Sequence, residues 1–311
     1  MQARGGALTS DEAEKILSTA AVARPVITGK SCDDSASRIV GDSYLHTGRP
    51  IDTVLGLDAL MNTSRCLQLY HQRCANQEKG IEEEVSELNN QKALDVLRYV
   101  LDAEVSDGVH DEERENVKLD SFVEHSNAKA VKLTRAEAVA LRLYTTLAYR
   151  HINDPLRSKE RQRLNEPCLL PATTRFAYEA TRKLRALNAS TSENGVLWRG
   201  MRGLRVTDDF LAHGGTELGF MSATRRLEVA VRYALSRAEE DQALLLLKIL
   251  VPSFVSSGAD LGWVSAFPHE GEVLFPPLTF LQPTGRVDRL EAPRGGRRVP
   301  ITVVEVVPHL G

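Results

Sequence analysis

The sequence predicts an α+β protein in which a helical first part is followed by a mostly antiparallel sheet. Apolar residues recur at helical intervals in the first part, whereas from residue 188 onward the sequence consists of short β-rich runs separated by glycine and proline. Helices followed by a series of mostly adjacent strands argue against a doubly wound parallel sheet, in which helices and strands alternate.

The first helices are predicted from capping residues and from periodicity. Ser10 can cap a first helix, and leucines at helical intervals indicate a helical stretch over residues 52–104. The acidic run from Glu82 to Glu84 is interpreted as a solvated helix face. The polar composition of residues 106–120 makes this segment the candidate linker between two domains.

Two further helices are predicted before the sheet. Thr134 and Glu137 form a capping box, because each side chain can accept a hydrogen bond from a free amide at a helix start. The helix that follows is predicted to run to Ile152 and to stop at Pro155. Another helix is predicted over residues 172–187.

The second half is predicted to form a sheet. Gly295 and Gly296 suit a hairpin turn between the last two strands, because tight hairpin turns need residues at positive φ. A helix over residues 227–237 interrupts the strands. The strands are predicted over residues 196–199, 218–222, 243–251, 271–275, 278–282, 286–291 and 300–307.

Composition excludes several classes of function. The 311 residues are 42% hydrophobic, enough for a substantial core, and the net charge of −3 gives no field suited to a phosphate backbone, so nucleic-acid binding is not expected. No signal peptide, membrane helix or lipidation signal is recognised, so we expect no membrane association and a cytoplasmic protein. The cysteines lack the spacing of a zinc site or a disulfide scaffold and are expected to be reduced and packed: Cys32, Cys66, Cys74 and Cys168.

Two carboxylates separated by one glycine are the first candidates for chemistry. In an extended segment, Glu270 and Glu272 would project from the same face, next to a loop. Two negative charges so close together are costly unless a cationic substrate, a cationic transition state or solvent compensates for them. The alternative is an exposed strand edge whose charges prevent aggregation.

Two other strand ends carry polar groups. Arg199 beside Gly200 would let a phosphate-bearing ligand approach the backbone while the guanidinium binds its oxygens, although an arginine here can also simply be solvated. Ser222 and Thr224 offer two hydroxyls, and Thr224 can instead cap the helix that begins near Arg226. A serine hydrolase is excluded, because the sequence around Ser222 lacks the G-x-S-x-G pattern.

Taken in order, W-R-G, then F-x-S-x-T followed by a helix, then E-x-E-V-L-F-P-P resemble the R-S-E class of ADP-ribosyltransferases. This is the cholera-toxin-like branch that includes the arginine-specific enzymes, and the resemblance covers residues 122–307. It implies two small, mostly antiparallel sheets around an NAD cleft. Residues 119–311 would then be the catalytic domain, and residues 1–118 a helical region of unknown role.

The resemblance also implies roles for the motif residues. Arg199 would hold the NAD diphosphate, and Gly200 would lie close to the nicotinamide amide. Ser222 would orient the catalytic Glu272, and Thr224 stands where the family has its second hydroxyl. Glu270 matches the upstream glutamate that arginine-modifying enzymes carry.

In the loop before the glutamates, Trp263 and Phe267 stand where the family uses an aromatic residue to contact the target protein, although either ring can instead belong to the core. His269 is interpreted as a solvated loop residue. Tyr233 and Ala230, on the helix after Ser222, are interpreted as core residues.

The implied activity is that of an NAD-dependent protein-arginine mono-ADP-ribosyltransferase. NAD would be the co-substrate, the acceptor a target protein or a small guanidino compound, and no metal is needed. The site motif departs from the family by reading Ser-Ala-Thr in place of Ser-Thr-Ser. Two alternatives remain open: an NAD glycohydrolase, in which water is the acceptor, and a non-catalytic NAD-binding or interaction module.

Overall fold

The computed structural model describes most of the chain from residue 56 onward. The described residues are 38–39, 45–47, 56–103, 111–112, 114, 117–187, 195–235, 244–294 and 297–310. The predicted cap at Ser10, the Gly295–Gly296 turn and Cys32 lie outside them. Within these ranges, no helix is both long and apolar enough to cross a membrane.

The described helices precede and interrupt the strands. They are α1 (Leu57–Leu60), α2 (Leu67–Ala75), α3 (Glu78–Glu87), α4 (Gln91–Asp102), α5 (Leu119–Val123), α6 (Ser126–Ala130), α7 (Arg135–Tyr144), α8 (Tyr149–Arg157), α9 (Lys159–Arg163), α10 (Pro171–Arg185), α11 (Asp208–His213) and α12 (Leu227–Leu235). Short 3-10 helices lie at Thr63–Cys66, Phe254–Ser256 and Pro268–Glu270. The predicted helices over residues 172–187 and 227–237 are therefore confirmed within about two residues of their ends, the margin expected for helix boundaries.

The predicted helical stretch over residues 52–104 is broken into several helices. Asn62, Gln77 and Asn89 lie at its breaks with φ values of 55°, 55° and 48°. Such a left-handed residue ends a helix, and asparagine tolerates this conformation better than most residues. Asn90 caps α4, because its side chain accepts hydrogen bonds from amides in the first turn of that helix.

The capping box at Thr134 is confirmed, but the helix that it starts is shorter than predicted. Helix α7 ends at Tyr144, and α8 begins at Tyr149 and contains Pro155. The prediction that Pro155 stops the helix was wrong. Proline removes a backbone donor from a helix, and here the burial of Ile152 and Leu156 offsets that loss.

The described strands are β1 (Arg38–Ile39), β2 (Leu45–Thr47), β3 (Gly195–Arg202), β4 (Leu204–Arg205), β5 (Gly215–Glu217), β6 (Met221–Thr224), β7 (Leu244–Val251), β8 (Ala259–Asp260), β9 (Glu272–Phe275), β10 (Thr279–Arg294) and β11 (Arg297–His309). The larger sheet has the strand order β2-β5-β10-β11-β7-β3-β6-β9-β8. All neighbours in this sheet are antiparallel except β11 and β7, and β1 pairs with β4 separately. The α+β class is confirmed.

Within the described residues, the two expected small sheets are joined into one sheet of nine strands. The joint is narrow, because β3 pairs with β6 only through Trp198 and Thr224. The strands predicted at 278–282 and 286–291 are also one strand, β10, with an irregularity between Pro283 and Val287. Such a bulge interrupts the alternation of side chains, which made the sequence look like two strands.

The first helices pack into the same core as the later part of the chain. One cluster of buried apolar side chains extends from Leu57 in α1 to Leu274 in β9. Glu84, predicted to be solvated, is fully buried, and its carboxylate accepts hydrogen bonds from the amides of Ala172 and Thr173 at the start of α10. An anion at a helix N-terminus satisfies free amides, which explains why this carboxylate is buried.

The predicted linker contains a buried ion pair. Asp111 lies 2.7 Å from Arg142 of α7, and the two side chains are 0% and 1% exposed. The hydroxyl of Tyr99 in α4 donates to the same carboxylate. Asp111 is therefore buried although it lies in the segment predicted to be a polar linker, since a charge pair lets an acidic residue be buried. The division of the chain at residue 118 stays a prediction.

Candidate active site

Three neighbouring strands bring together motif residues that are far apart in the sequence. Strand β3 carries Arg199, β6 carries Ser222 and β9 begins with Glu272. One guanidinium nitrogen of Arg199, Nη1, donates to the carbonyl oxygen of Ser222 at 2.6 Å. The Ser222 hydroxyl donates to Glu272 Oε1 at 2.7 Å. A cation, a hydroxyl and a carboxylate therefore form one connected group.

The carboxylate of Glu272 is held at both of its oxygens. Ser265 places its hydroxyl 3.4 Å from Oε2, whereas Ser222 contacts Oε1. Burial raises the pKa of Glu272, while the two serine hydroxyls and the Arg199 charge act in the opposite direction. These contacts fix the orientation of the carboxylate.

Glu270 and Glu272 do not lie in one extended segment, contrary to the prediction. Glu270 ends the 3-10 helix Pro268–Glu270, and Gly271 has a φ of 58° before β9 begins. Glycine takes this left-handed conformation without steric cost. The turn nevertheless keeps the two carboxylates close enough for the charge of Glu272 to raise the pKa of Glu270.

Tyr233 binds the second carboxylate. Its hydroxyl donates to Glu270, lying 2.8 Å from Oε1 and 3.0 Å from Oε2. The interpretation of Tyr233 as a core residue was wrong, since it is 39% exposed. Burial, reinforced by the Glu272 charge, raises the pKa of Glu270 to about 7, against the opposing effect of the Tyr233 hydrogen bond.

Thr224 ties this turn to β6 and to the helix that follows. Its hydroxyl donates to the carbonyl of Glu270 and accepts a hydrogen bond from the amide of Arg226 at 3.0 Å. Because Arg226 precedes the helix α12, this contact stabilises the turn before the helix, and the predicted capping role of Thr224 stays a prediction. A contact of Thr224 with NAD stays a prediction.

Gly200 lets a helix pack directly on β3. A Cβ atom at this position would lie 1.9 Å from the carbonyl oxygen of Ala230 in α12. Ala230 is 1% exposed, which confirms its interpretation as a core residue. The glycine is therefore needed for packing, and its proximity to a nicotinamide amide stays a prediction.

We expect Gly200→Ala to destabilise the protein, because the new methyl group must displace backbone atoms of α12. Overpacking of this kind costs about 1–3 kcal/mol of the free energy of unfolding, which urea denaturation measures. Gly56→Ala is the matched control, since nothing lies within 4 Å of its Cβ position. Equal stability of the two variants would contradict the packing role.

The loop before the glutamates carries two half-buried aromatic residues, Trp263 and Phe267. Trp263 stacks on His125 with ring centroids 4.6 Å apart and packs against the core. His269 was predicted to be solvated, but its Nδ1 lies 2.7 Å from Glu112 Oε2 and its side chain is only 22% exposed. This acidic partner explains why the histidine is not solvated. Contact of Trp263 or Phe267 with an acceptor stays a prediction.

That loop is anchored by side chains from the helical part of the chain. Arg114 donates to the carbonyls of Gly262 and Trp263 at 2.8 and 2.9 Å. Arg142, already paired with Asp111, donates to the carbonyl of Val264 at 3.0 Å. The loop therefore reaches Ser265 in a fixed conformation.

Side chains of helices α7 and α8 support Ser222. The Tyr144 hydroxyl lies 3.2 Å from Ser222 Oγ, and Asn153 donates to that same Tyr144 hydroxyl at 3.1 Å. Asn153 also exchanges hydrogen bonds with the backbone of Phe220, while Arg157 pairs with Glu217 at 2.8 Å. No role was predicted from the sequence for Tyr144, Asn153 or Arg157. Asn153 and Arg157 stand four positions apart on the buried side of α8, and this spacing of polar residues was the signal in the sequence.

The groups in this site suit NAD. A guanidinium binds diphosphate oxygens, and carboxylates with free lone pairs accept hydrogen bonds from ribose hydroxyls. Arg199 and Glu272 offer these two chemistries on neighbouring strands, linked through Ser222. Within the described part of the chain, no group of three or more His, Cys, Asp or Glu side chains is placed to hold a metal ion.

Three solved structures to which this chain is similar are described as ADP-ribosyltransferases. The Vis toxin of Vibrio splendidus is 20% identical with a TM-score of 0.41, and the match covers 61% of this chain and 81% of Vis. HopU1 of Pseudomonas syringae is 17% identical with a TM-score of 0.43, covering 70% and 97% of the two chains. The eucaryotic mono-ADP-ribosyltransferase ART2.2 is 15% identical with a TM-score of 0.40, covering 86% and 92%.

A family model identifies the chain. No curated protein matches this chain. The model described as NAD:arginine ADP-ribosyltransferase, however, matches residues 72–291, well over half of the 311 residues. The chain therefore belongs to the family of NAD:arginine ADP-ribosyltransferases, enzymes whose substrate is NAD.

Proposed function

We propose that this protein is an NAD-dependent protein-arginine mono-ADP-ribosyltransferase, with Arg199, Ser222, Glu270 and Glu272 as its catalytic residues. The observation that carries the proposal is the connected group of Arg199, Ser222 and Glu272, with a second carboxylate, Glu270, beside it. The description of the matching family names arginine as the acceptor. The partners would be NAD and a target protein or a small guanidino acceptor.

Arg199 and Glu272 would act on NAD. Arg199 would bind the diphosphate, with Gly200 and Thr224 beside the bound substrate. Breaking the bond between nicotinamide and ribose builds positive charge on the ribose, as in glycoside hydrolysis. Glu272, oriented by Ser222, would stabilise that charge more than it stabilises the ground state, which lowers the barrier.

Glu270 would act on the acceptor. Its carboxylate would pair with a guanidinium and take a proton from the nitrogen that attacks the ribose. One carbon–nitrogen bond forms and one breaks, and nicotinamide leaves with the electron pair. A pKa raised to about 7 suits a general base at neutral pH. Trp263 and Phe267, both half-buried, are the candidate contacts to the acceptor.

The test is incubation of the protein with NAD and agmatine, the guanidino compound present in a structure of Vis that is 19% identical to this chain, with a TM-score of 0.42 and coverage of 63% and 87%. Mass spectrometry separates nicotinamide, ADP-ribose and ADP-ribosyl-agmatine. We expect nicotinamide together with ADP-ribosyl-agmatine. Nicotinamide with only free ADP-ribose would favour the NAD glycohydrolase. Neither product would favour the non-catalytic module.

Glu270→Gln is expected to impair transfer to the acceptor while leaving NAD hydrolysis nearly intact. Transfer to agmatine should fall by about 100-fold or more, as for the loss of a general base, while NAD hydrolysis stays within about threefold of wild type. Equal loss of both would contradict the role of Glu270. Glu291→Gln, which alters an exposed carboxylate 64% accessible on β10, is the control and should change neither rate.

The transfer reaction is also expected to depend on pH. A base must be ionised to accept a proton, and the pKa of Glu270 is raised from its ordinary value to about 7. The rate of transfer should therefore fall as the pH drops below about 7, because Glu270 becomes protonated, and it should level off above that pH. A profile with its acid limb near pH 4.5 would contradict this assignment.

A further inference from the structure

Tyr233 contacts the second carboxylate in a way that packing does not require. It lies on α12, whose inward face is formed by buried residues such as Val229, Ala230 and Ala234. Tyr233 points away from that face and is 39% exposed, with its hydroxyl on Glu270. A side chain that contributes little to the core but binds a candidate catalytic group is more informative about chemistry than about stability.

The hydrogen bond has a defined direction. Burial and the negative charge of Glu270 raise the pKa of Tyr233 further above its ordinary value, so the phenol keeps its proton and acts as the donor. An ionised carboxylate offers about four lone-pair sites, and one phenol uses only part of them. Glu270 can therefore hold the Tyr233 hydroxyl and accept further hydrogen bonds from a guanidinium.

We propose that Tyr233 is a positioning residue for the acceptor half of the reaction: its hydroxyl holds the Glu270 carboxylate in one orientation, ready to receive the acceptor's proton. The proposal rests on the proposed function, because it presupposes that Glu270 serves the acceptor. The proton goes from the attacking guanidino nitrogen to Glu270, and Tyr233 retains its own.

Other charges around Glu270 set the background for this effect. Glu272, on β9, favours the protonated form of Glu270. His269, in the same turn, and Arg232, on α12, favour the ionised form, as the Tyr233 hydroxyl does. Tyr149 of α8 lies close enough to Tyr233 to affect its titration. A Tyr233→Phe substitution leaves these groups in place and removes only one donor.

The consequence of removing the donor can be stated with its sign. A hydrogen bond to the ionised form lowers the pKa of a carboxylic acid, so Tyr233→Phe should raise the pKa of Glu270. The acid limb of the transfer profile should then move to higher pH by about one unit, which is a loss of about tenfold in transfer at a fixed pH on that limb. NAD hydrolysis, which does not use Glu270 as a base, should stay within twofold.

The experiment compares the full-length wild-type protein, Tyr233→Phe and Tyr178→Phe, with NAD and agmatine between pH 5 and 9. Tyr178, a half-buried tyrosine of α10 that contacts Arg182, controls for the loss of a phenol elsewhere. The shifted limb in Tyr233→Phe alone supports the proposal. An unshifted limb, faster transfer, or equal loss of transfer and hydrolysis overturns it.

A second measurement keeps this result separate from the fate of the proposed function. Carbon-13 labelling of glutamate carboxyls, with the Glu270 signal assigned by its loss in Glu270→Gln, follows the titration of Glu270 without any turnover. If wild type forms no ADP-ribosyl-agmatine, the proposed function fails. A higher pKa of Glu270 in Tyr233→Phe then still supports the positioning of this carboxylate, and an unchanged one overturns it.

Discussion

Glu272→Gln is expected to lower NAD turnover by about 1,000-fold, with or without an acceptor, because it removes the charge that stabilises the developing cation. The neutral amide retains an oxygen that can accept the Ser222 hydrogen bond, so the fold should persist. Nicotinamide release measured by mass spectrometry gives the rate. Unlike Glu270→Gln, this substitution should reduce hydrolysis and transfer in parallel.

Two controls make this result specific. The temperature midpoint of unfolding should stay near that of wild type, which shows that the loss is chemical. Glu291→Gln, on the exposed surface of β10, should retain full turnover. Unchanged nicotinamide release by Glu272→Gln would remove the basis of the proposed enzyme activity.

Asp111→Ala is expected to have the largest effect on stability. It leaves the guanidinium of Arg142, which is 1% exposed, without its charged partner. It also leaves the Tyr99 hydroxyl without its acceptor. Breaking a buried ion pair in this way costs about 3–5 kcal/mol of the free energy of unfolding, which urea denaturation measures.

Glu160→Ala is the control for this variant. Glu160 pairs with Arg163 on the surface of α9, with both side chains more than 60% exposed. Such a pair contributes roughly 0–0.5 kcal/mol. Similar losses in the two variants would show that the pair between Asp111 and Arg142 has no special weight. Because Arg142 also holds the loop before Ser265, Asp111→Ala should reduce NAD turnover in the fraction that stays folded.

The sequence was sufficient for the elements that depend on local signals. The capping box at Thr134 was predicted from side chains that bond to nearby amides. The proximity of Arg199, Ser222 and Glu272 was expected only through the resemblance. Nothing in their spacing indicates that β3, β6 and β9 lie side by side, since strand order is a tertiary property.

The predictions that failed concern residues whose environment is set by distant parts of the chain. Glu84 looked like a surface residue, because its partners, the first amides of α10, come almost ninety positions later. Tyr233 looked like a core residue, because helical periodicity does not reveal which carboxylate a turn will bring alongside. Gly271 was assigned to a strand, although its left-handed backbone joins the 3-10 helix that ends at Glu270 to β9.

The narrow joint between β3 and β6 has a mechanical consequence. Arg199 lies on one side of it and Glu272 on the other, and a single residue pair, Trp198 and Thr224, continues the ladder between them. Few hydrogen bonds therefore resist a small rotation of the strands on one side of this joint against those on the other. A ligand bound by both Arg199 and Glu272 would hold the two sides together. Amide hydrogen exchange in β6 and β9 should then slow when the ligand is bound.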